Sequence, residues 1–128
     1  MKIIPFKITE INNSSEAKNE YIRLKASIGV NTKDYALVDR TFEENGNLSN
    51  EFRHIFVFPD ILLKPNEEVI VCTGTGTNGK GKYKTGNEEY HRLYWGAKAC
   101  IMNDKGGDRI TLIRYSVESS MAVPAVGK

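Results

Sequence analysis

Apolar and polar residues alternate along most of this chain, with the period of two that predicts half-buried β-strands. Near the start, Ile4, Phe6 and Ile8 hold alternate positions. Pro5 lies among them and predicts an edge strand or a strand start, because proline has no N–H to donate. The run at 69–73 is almost wholly apolar, which predicts a strand that is central in its sheet or buried on both faces. Further strands are predicted at residues 35–39, 54–58, 99–102 and 109–113.

Residues 15–28 fit two different patterns. Apolar side chains recur there at helical spacing, and Ser15 could cap a helix. Residues 21–25 also fit a strand that has Ile22 and Leu24 on one face. Periodicity alone therefore leaves both a helix and a strand open for this segment.

Glycine, proline and asparagine separate the predicted strands at places that favour turns. Pro65 stands at the second position of a predicted turn over 64–67. The linker 103–108 is rich in residues that tolerate positive φ, as a β-hairpin between the last two strands requires. Residues 74–90 are predicted to form one long loop. Seven or so short strands with turns between them predict an all-β sandwich.

Size and charge limit the classes of function. The chain has 128 residues, 40% of them apolar and 27% charged, which is typical of one globular domain. Its formal net charge of +2 is too small to indicate nucleic acid or an anionic membrane as a partner. No apolar run reaches the roughly 20 residues of a membrane span, and the short first segment does not fit a signal peptide. The cytoplasm is the default expectation for a compartment that the sequence does not otherwise specify.

The two cysteines, Cys72 and Cys100, lie in predicted apolar strands. Two buried free thiols are the expected state, with a single disulfide as the alternative. The two histidines, His54 and His91, show no metal-ligand spacing. No metal or other cofactor is therefore expected.

Six segments, in order along the chain, resemble motifs of the lamin tail domain family. Residues 20–25, Glu-Tyr-Ile-Arg-Leu-Lys, are similar to the strand E-Y-hydrophobic-x-hydrophobic-K, and residues 34–39 resemble L-x-G-W-T-L-x-D. Residues 56–67 resemble Y-x-F-P followed by L-x-P-G-E, and residues 69–77 resemble V-x-V-x-T-G-S-G-T. Residues 93–96, Leu-Tyr-Trp-Gly, match L-Y-W-G, and residues 101–112 resemble V-W-N-N-x-G-D-x-A-x-L.

This resemblance is clearest over 20–113 and implies an immunoglobulin-like β-sandwich of about seven to nine strands. The domain is expected to cover residues 1–115, with a strand at 20–25. The tail 116–128 is expected to be flexible, because it has small residues and a proline.

The resemblance implies no reaction, since members of the family serve as interaction modules. The chain departs from the family pattern where Ala36 and Met102 stand in place of two tryptophans. A polar insertion also separates Asp39 from His54. These departures weaken the transfer of a binding surface from the family to this chain. They hardly affect the expected fold, because core exchanges of similar volume are tolerated.

The run from Gly74 to Gly81 lies one residue from the P-loop pattern G-x-x-x-x-G-K-[ST]. Gly81 stands where a Ser or Thr hydroxyl should reach Mg²⁺. No helical period follows Lys80, although a P-loop needs a helix N-terminus to hold the phosphates. A hairpin loop is therefore preferred, and a nucleotide-dependent enzyme is the least favoured hypothesis.

The same loop is locally basic, because residues 74–87 include three lysines and no acid. Lysines that alternate with aromatic side chains could grip phosphates and stack bases. Weak nucleic-acid binding through 74–92 is therefore the second hypothesis, and a solvated loop is the structural alternative. The candidate binding surface comprises Lys80, Lys82, Tyr83, Lys84 and Arg92.

The remaining polar clusters do not indicate catalysis. Asn103, Asp104 and Asp108 offer too few carboxylates for a calcium loop, and turn chemistry explains them. Neither histidine lies in a nucleophile motif, so no enzymatic activity is expected. The favoured hypothesis is a non-catalytic interaction or scaffolding module that binds a protein partner through loops or an edge strand.

Overall fold

A computed structural model of the chain describes residues 3–14, 16–41, 54–82, 89–98, 101–102 and 108–127. These residues form ten β-strands and one short 3-10 turn, Ala17–Asn19, and they include no α-helix. The strands are β1 (Phe6–Asn12), β2 (Tyr21–Ala26), β3 (Val30–Asn31), β4 (Tyr35–Thr41), β5 (His54–Val57), β6 (Leu62–Leu63), β7 (Glu68–Cys72), β8 (Gly79–Lys82), β9 (Glu89–Tyr94) and β10 (Asp108–Arg114).

The strands form three sheets that share one core. The largest sheet has the order β1-β2-β7-β9-β8, and within it only β7 and β9 run parallel. The second sheet has the antiparallel order β10-β4-β5, and the short strands β3 and β6 pair with each other. The predicted all-β sandwich is thus confirmed. The described residues form ten strands, more than the expected seven to nine. The expected number was lower because β3, β6 and β8 are too short or too polar to show a period in the sequence.

The alternation in β2 and β7 directs one row of side chains into the core. Ile22 and Leu24 are fully buried and pair across the strands with Val71 and Val69. Burial of each such side chain contributes roughly 1.5–3 kcal/mol. Residues 15–28 therefore contain a strand, because only a period of two brings Ile22 and Leu24 to the same buried face.

β7 is central in its sheet, as predicted, but only one of its faces is buried. Val69 and Val71 face the core, whereas Ile70 and Cys72 are partly exposed on the outer face. An apolar run can therefore form a central strand without a second layer over it. Pro5 directly precedes β1, which is an edge strand as predicted.

Aromatic side chains join the two larger sheets. Phe6 contacts Tyr35 and Phe58 edge to face, with ring centroids 5.3 and 5.5 Å apart. Phe56 contacts Phe58 at 5.1 Å and Trp95 at 5.6 Å. Each such pair contributes roughly 0.5–1.5 kcal/mol beyond the area that it buries. Trp95 is partly buried and packs against the core.

A buried glutamate joins three segments of the chain. The side chain of Glu20 is fully buried, and its Oε1 accepts hydrogen bonds from the Thr73 hydroxyl at 2.7 Å and from the Ile101 N–H at 2.9 Å. Its Oε2 accepts from the Met102 N–H at 3.1 Å. The Glu20 carbonyl also accepts from the Thr73 N–H at 3.0 Å. Four hydrogen bonds thus compensate for removing this polar residue from water.

The predicted turn between β6 and β7 is confirmed in its details. The Glu67 N–H donates to the Lys64 carbonyl at 3.1 Å, with Pro65 at the second position. Asn66 has a φ of +72°, the left-handed value that the third position of a type II turn requires. Asparagine accepts this conformation at little cost.

Two local predictions are wrong. Ile101 and Met102 do not form a strand, because their N–H groups bond to Glu20 instead of to a neighbouring strand. Residues 79–82, inside the predicted long loop, form β8 on the edge of the large sheet. Cys100 and residues 103–107 of the predicted linker lie outside the described residues.

The C-terminal segment leaves the sandwich after β10. The Tyr115 N–H donates to the Asp34 carbonyl at 2.8 Å. Residues 116–127 are all exposed and contain neither helix nor strand. Its expected flexibility stays a prediction.

We expect Glu20→Gln to lower the free energy of unfolding by about 3 kcal/mol, because an amide nitrogen would face a buried N–H donor. Chemical denaturation followed by circular dichroism measures this change. The side chains have the same shape, so the loss reports hydrogen bonding and not packing.

Glu16→Gln is the matched control, since the Glu16 side chain is 57% exposed in the preceding turn. We expect it to change stability by less than about 0.5 kcal/mol. Equal losses in the two variants would contradict the role assigned to Glu20.

Candidate functional site

Strands β8 and β9 contain the described part of the predicted basic surface. Lys80 pairs with His91, and Gly81 pairs with Tyr90. Paired residues of antiparallel strands project to the same side, and successive residues project to opposite sides. Lys80 and Lys82 therefore project to the side of His91, whereas Gly81 and Tyr90 lie on the outer face of the sheet.

Arg92 projects to the outer face with Tyr90, because it lies two residues further along β9. Leu93, between Arg92 and Tyr94, is buried in the core and identifies the opposite face as the inner one. The structure therefore does not bring Lys80 and Lys82 together with Arg92 on one surface. Tyr83 and Lys84 lie outside the described residues.

The outer face has a composition that the linear sequence does not reveal. Two rows of paired residues cross β2, β7 and β9, namely Arg23–Ile70–Arg92 and Tyr21–Cys72–Tyr94. We call this surface, together with Tyr90, the tyrosine–arginine face. Neighbouring strands lie about 4.8 Å apart, so the two side chains at the ends of a row start roughly 10 Å from each other. A shallow hollow of about 370 Å³ lies on this face, with Lys18 at its border.

Tyr90 holds Arg92 in place. Nη2 of Arg92 donates a hydrogen bond to the Tyr90 hydroxyl, and the guanidinium carbon lies 5.3 Å from the centroid of the Tyr90 ring. The hydrogen bond to Tyr90 is the largest cause that raises the pKa of Arg92 above its ordinary value. The guanidinium is therefore a fixed positive charge on the outer face.

Two glycines make room for the tyrosine rings. A Cβ at Gly81 would lie 2.4 Å from the Tyr90 ring, and a Cβ at Gly76 would lie 2.4 Å from the Tyr94 ring. Each ring therefore lies directly over backbone that has no side chain. This covering of glycine by a neighbouring aromatic ring explains how the polar sequence Gly79–Lys82 can form a strand.

At the other end of the rows, Glu10 in β1 orders Tyr21 and Arg23. The Tyr21 hydroxyl donates to Glu10 Oε1 at 3.2 Å, and Arg23 Nε lies 3.6 Å from the same oxygen. Burial, followed by this hydrogen bond, raises the pKa of Tyr21. Arg23 Nε is buried and has no hydrogen-bond partner among the described residues.

Cys72 lies at the centre of the tyrosine row as a free, half-buried thiol. Burial raises the pKa of this thiol, and the nearby Arg92 only partly opposes the effect. The neutral thiol is therefore favoured, and a neutral thiol is a weak nucleophile. The expectation of a free cysteine agrees with Cys72, and the state of Cys100 lies outside the described residues.

Both histidines pair with carboxylates, which sequence reasoning missed. Nδ1 of His54 lies 2.7 Å from Oδ2 of the buried Asp39, and Nε2 of His91 lies 3.4 Å from Oε2 of Glu67. Asp39 continues the period of Tyr35 and Leu37, so its place on the inner face was available from the pattern. The second oxygen of Asp39 is buried and has no hydrogen-bond partner among the described residues.

The glycine-rich run that resembles a P-loop has the wrong local structure for one. Lys80 lies in β8, antiparallel to β9, where a P-loop requires the first turn of a helix. Phosphates would therefore find no row of helical N–H groups at this position.

Comparison with known proteins adds no relative. No protein-family model matches the chain, and none of the curated proteins matches it significantly. Across the residues that the structure describes, no three side chains of His, Cys, Asp or Glu gather as a metal site would require. The described part of the chain also has no helix with the length and apolar character needed to cross a membrane.

We expect Gly81→Ala to displace the Tyr90 ring and to break its hydrogen bond to Arg92, because the new Cβ would overlap the ring. The far end of a tyrosine can swing away, so we expect the free energy of unfolding to fall by only about 1 kcal/mol. Ring-proton chemical shifts of Tyr90 measure the displacement. Gly79→Ala is the control, since a Cβ there has nothing within 4 Å, and unchanged Tyr90 shifts in both variants would refute this packing.

The Glu67 pair predicts a pH dependence of stability. The Lys64 N–H donates to Glu67 Oε1 at 2.7 Å, and this hydrogen bond, with His91 as a smaller cause, lowers the pKa of Glu67 below its ordinary 4.5. A lowered pKa in the folded state stabilises the fold above the unfolded value, and the contribution is lost as pH falls through the folded value. We therefore expect Glu67→Gln to lose less stability than the wild type when pH falls below 4.5.

Urea unfolding across this pH range measures the difference. Glu118→Gln removes a carboxylate from the exposed tail and should keep the wild-type slope. An unchanged slope in Glu67→Gln would contradict the prediction.

Proposed function

We propose that this chain is a non-catalytic interaction and scaffolding module that binds a protein partner through the tyrosine–arginine face. The observation that carries the proposal is the alignment of two arginines and two tyrosines in neighbouring rows across β2, β7 and β9. Tyrosine and arginine are among the residues that contribute most to binding energy at protein interfaces.

The rigidity of this face supports the proposal. The side chains lie on paired strands over a buried core, and Tyr90 and Tyr94 lie against glycine backbone. Arg92 is held by Tyr90, and Tyr21 is held by Glu10. Side chains that are already ordered lose little conformational entropy on binding, so more of the contact energy remains as affinity.

The chemistry of the face suits binding better than catalysis. Its thiol is disfavoured as a nucleophile, because burial raises the pKa of Cys72. The phenol of Tyr21 stays neutral for the same reason, since its pKa is also raised. The histidines belong to other parts of the sandwich, where His91 pairs with Glu67 and His54 pairs with Asp39.

We further propose that the sandwich is immunoglobulin-like and of the lamin tail kind. Segments that carry the resemblance are joined in space, since Glu20 bonds to Thr73 and to the 101–102 backbone. The Leu-Tyr-Trp-Gly segment joins the same region, because the Trp95 N–H donates to the Cys72 carbonyl at 2.8 Å. Gly96, the last residue of that segment, has a φ of +87°, which favours glycine. Contacts between segments that carry the resemblance support this proposal.

Single-stranded nucleic acid is the second candidate partner. Cations beside aromatic rings can also track phosphates and stack bases. Of the predicted surface, Lys80, Lys82, Tyr83, Lys84 and Arg92, this version would keep Arg92 and add Arg23, whereas Lys80 would lie outside it.

A photoreactive phenylalanine analogue at Tyr94 should cross-link to a protein when it is introduced into the full chain in its own cells. We expect the adduct to be sensitive to protease and resistant to nuclease. A band shift on denaturing gels measures it. Arg92→Gln in the same chain should reduce the yield by at least about tenfold, as loss of a central interface arginine does.

The same analogue at Tyr115 is the matched control, because it replaces another tyrosine, at the end of the other sheet. It should give much less adduct. Equal adducts at both positions, or an adduct that nuclease destroys, would refute the proposed protein-binding face.

A further inference from the structure

The hollow on the tyrosine–arginine face has positive charge that its own residues do not neutralise. Lys18, Arg23 and Arg92 line it, and no carboxylate lines it among the residues that the structure describes. Lys18 and Arg23 have partners at its margin, with Glu16 3.4 Å from Lys18 and Glu10 3.6 Å from Arg23. The Lys18–Glu16 pair is exposed and therefore weak, whereas the Arg23–Glu10 pair is partly buried.

Arg92 differs from the other two cations. Nη2 of Arg92 donates a hydrogen bond to the Tyr90 hydroxyl, and the groups that raise the pKa of Arg92 are Tyr90 and Tyr94, with no carboxylate among them. A tyrosine hydroxyl orients a guanidinium without cancelling its charge. The guanidinium of Arg92 is therefore held in place while its positive charge is not neutralised, and such an arginine is suited to bind an anion.

The surroundings of Arg92 define what kind of anion fits. Ile70 lies beside Arg92 in its row, and Cys72 lies beside Tyr94 in the next row. Burial raises the pKa of Cys72, so the thiol adds no negative charge of its own. The floor of the hollow is thus apolar, with charge at its sides, which suits an anion that has an apolar stem.

The dimensions of the face limit the ligand further. The strands at the ends of the rows lie roughly 10 Å apart, so one extended chain fits between the two arginines. A nucleic-acid duplex, about 20 Å across, could touch the rims but not enter the hollow. A glutamate or aspartate side chain has the required length, charge and apolar stem.

We propose that Arg92 anchors a carboxylate of an acidic segment in the protein partner, whose apolar stem lies over Ile70 and Cys72. This inference rests on the proposed protein-binding function and names the chemistry of the partner. Arg23, on the other side of Ile70, is placed to meet a second carboxylate of the same segment. The acidic segment would run along β7, between the two arginines.

Nuclear magnetic resonance titration of the full chain with synthetic hexaglutamate tests this inference. We expect the largest amide shifts at outer-face positions of β2, β7 and β9, and weaker binding at higher salt. Hexaglutamine, which has the same length without charge, should cause no saturable shifts. Arg92→Gln should raise the Kd for hexaglutamate by at least about tenfold, as expected when a charge-assisted hydrogen-bonded pair is lost.

The chain supplies a matched control for this variant. Lys80→Gln removes the same charge from the neighbouring strand, but from the opposite side of the sheet. We expect it to raise the Kd by less than about twofold. Arg92→Lys keeps the charge without the fork of the guanidinium and should fall between the wild type and Arg92→Gln.

Three results would overturn the inference. Shifts that avoid the outer face, or equal effects of Arg92→Gln and Lys80→Gln, would indicate diffuse attraction between charges. Tighter binding of a six-residue deoxythymidine oligonucleotide than of hexaglutamate would indicate nucleic acid in place of an acidic protein segment.

The outcomes also separate this inference from the proposed function. If hexaglutamate fails to bind the hollow while the Tyr94 cross-link to a protein persists, the face binds a protein and the acidic chemistry is wrong. If hexaglutamate binds as expected while Tyr94 gives no protein adduct, the proposed function fails and the anion site remains.

Discussion

The hydrogen bonds of the buried Glu20 carboxyl group hold together parts of the chain that are far apart in sequence. A carboxyl group inside a protein is costly unless each of its polar atoms has a partner. Here the partners are the Thr73 hydroxyl and the backbone N–H groups of Ile101 and Met102. Movement of any of these segments would leave a buried polar group unpaired. The cost of that state fixes the path of the chain after β7 and after β9.

We call Glu20 with its partners Thr73, Ile101 and Met102 the Glu20 junction. The same strand register places this junction and the residues of the outer face. Glu20 directly precedes Tyr21, and Thr73 directly follows Cys72, so the junction lies next to the tyrosine row. Trp95 follows Tyr94 and donates its N–H to the Cys72 carbonyl at 2.8 Å. A slip of one residue in any of these strands would exchange the inner and outer faces. The interaction that secures the core therefore also keeps the tyrosines and arginines on the outside.

Much of the fold could be predicted because most strands contain their own signal. β4 and β7 contain short apolar runs and β10 has apolar residues at alternate positions, and the predicted positions of all three agree with the structure to within two residues. β8 has no such signal, because its residues are glycine and lysine, and it depends on pairing with β9 and on the Tyr90 ring over Gly81. Ile101 and Met102 gave a false strand signal, since they are apolar but their N–H groups bond to a side chain. A local pattern contains information about one segment only. Both errors, at β8 and at 101–102, arise from contacts of the segment with other parts of the chain.

The candidate site was less accessible for the same reason. Arg92 was identified from its position after a basic loop, whereas its neighbours on the face, Tyr21 and Arg23, come from a strand near the start of the chain. Only the pairing of β2 with β7, and of β7 with β9, brings them together, and a parallel pair has no turn that would fix its register in the sequence. A cluster of charges in the sequence also does not show on which side of a strand each side chain lies. The alternation of side chains along β8 and β9 places Lys80 and Arg92 on opposite sides of the sheet.

Shape and charge on the tyrosine–arginine face come from different residues. Gly76 and Gly81 set the height of the tyrosine rings, and they contribute no charge. Arg23 and Arg92 supply the charge from β2 and β9. Shape and charge are coupled at Tyr90, because its ring lies over Gly81 and its hydroxyl orders Arg92. The core lies beneath both features and the Glu20 junction lies next to them, so a change in either feature leaves the support of the face intact.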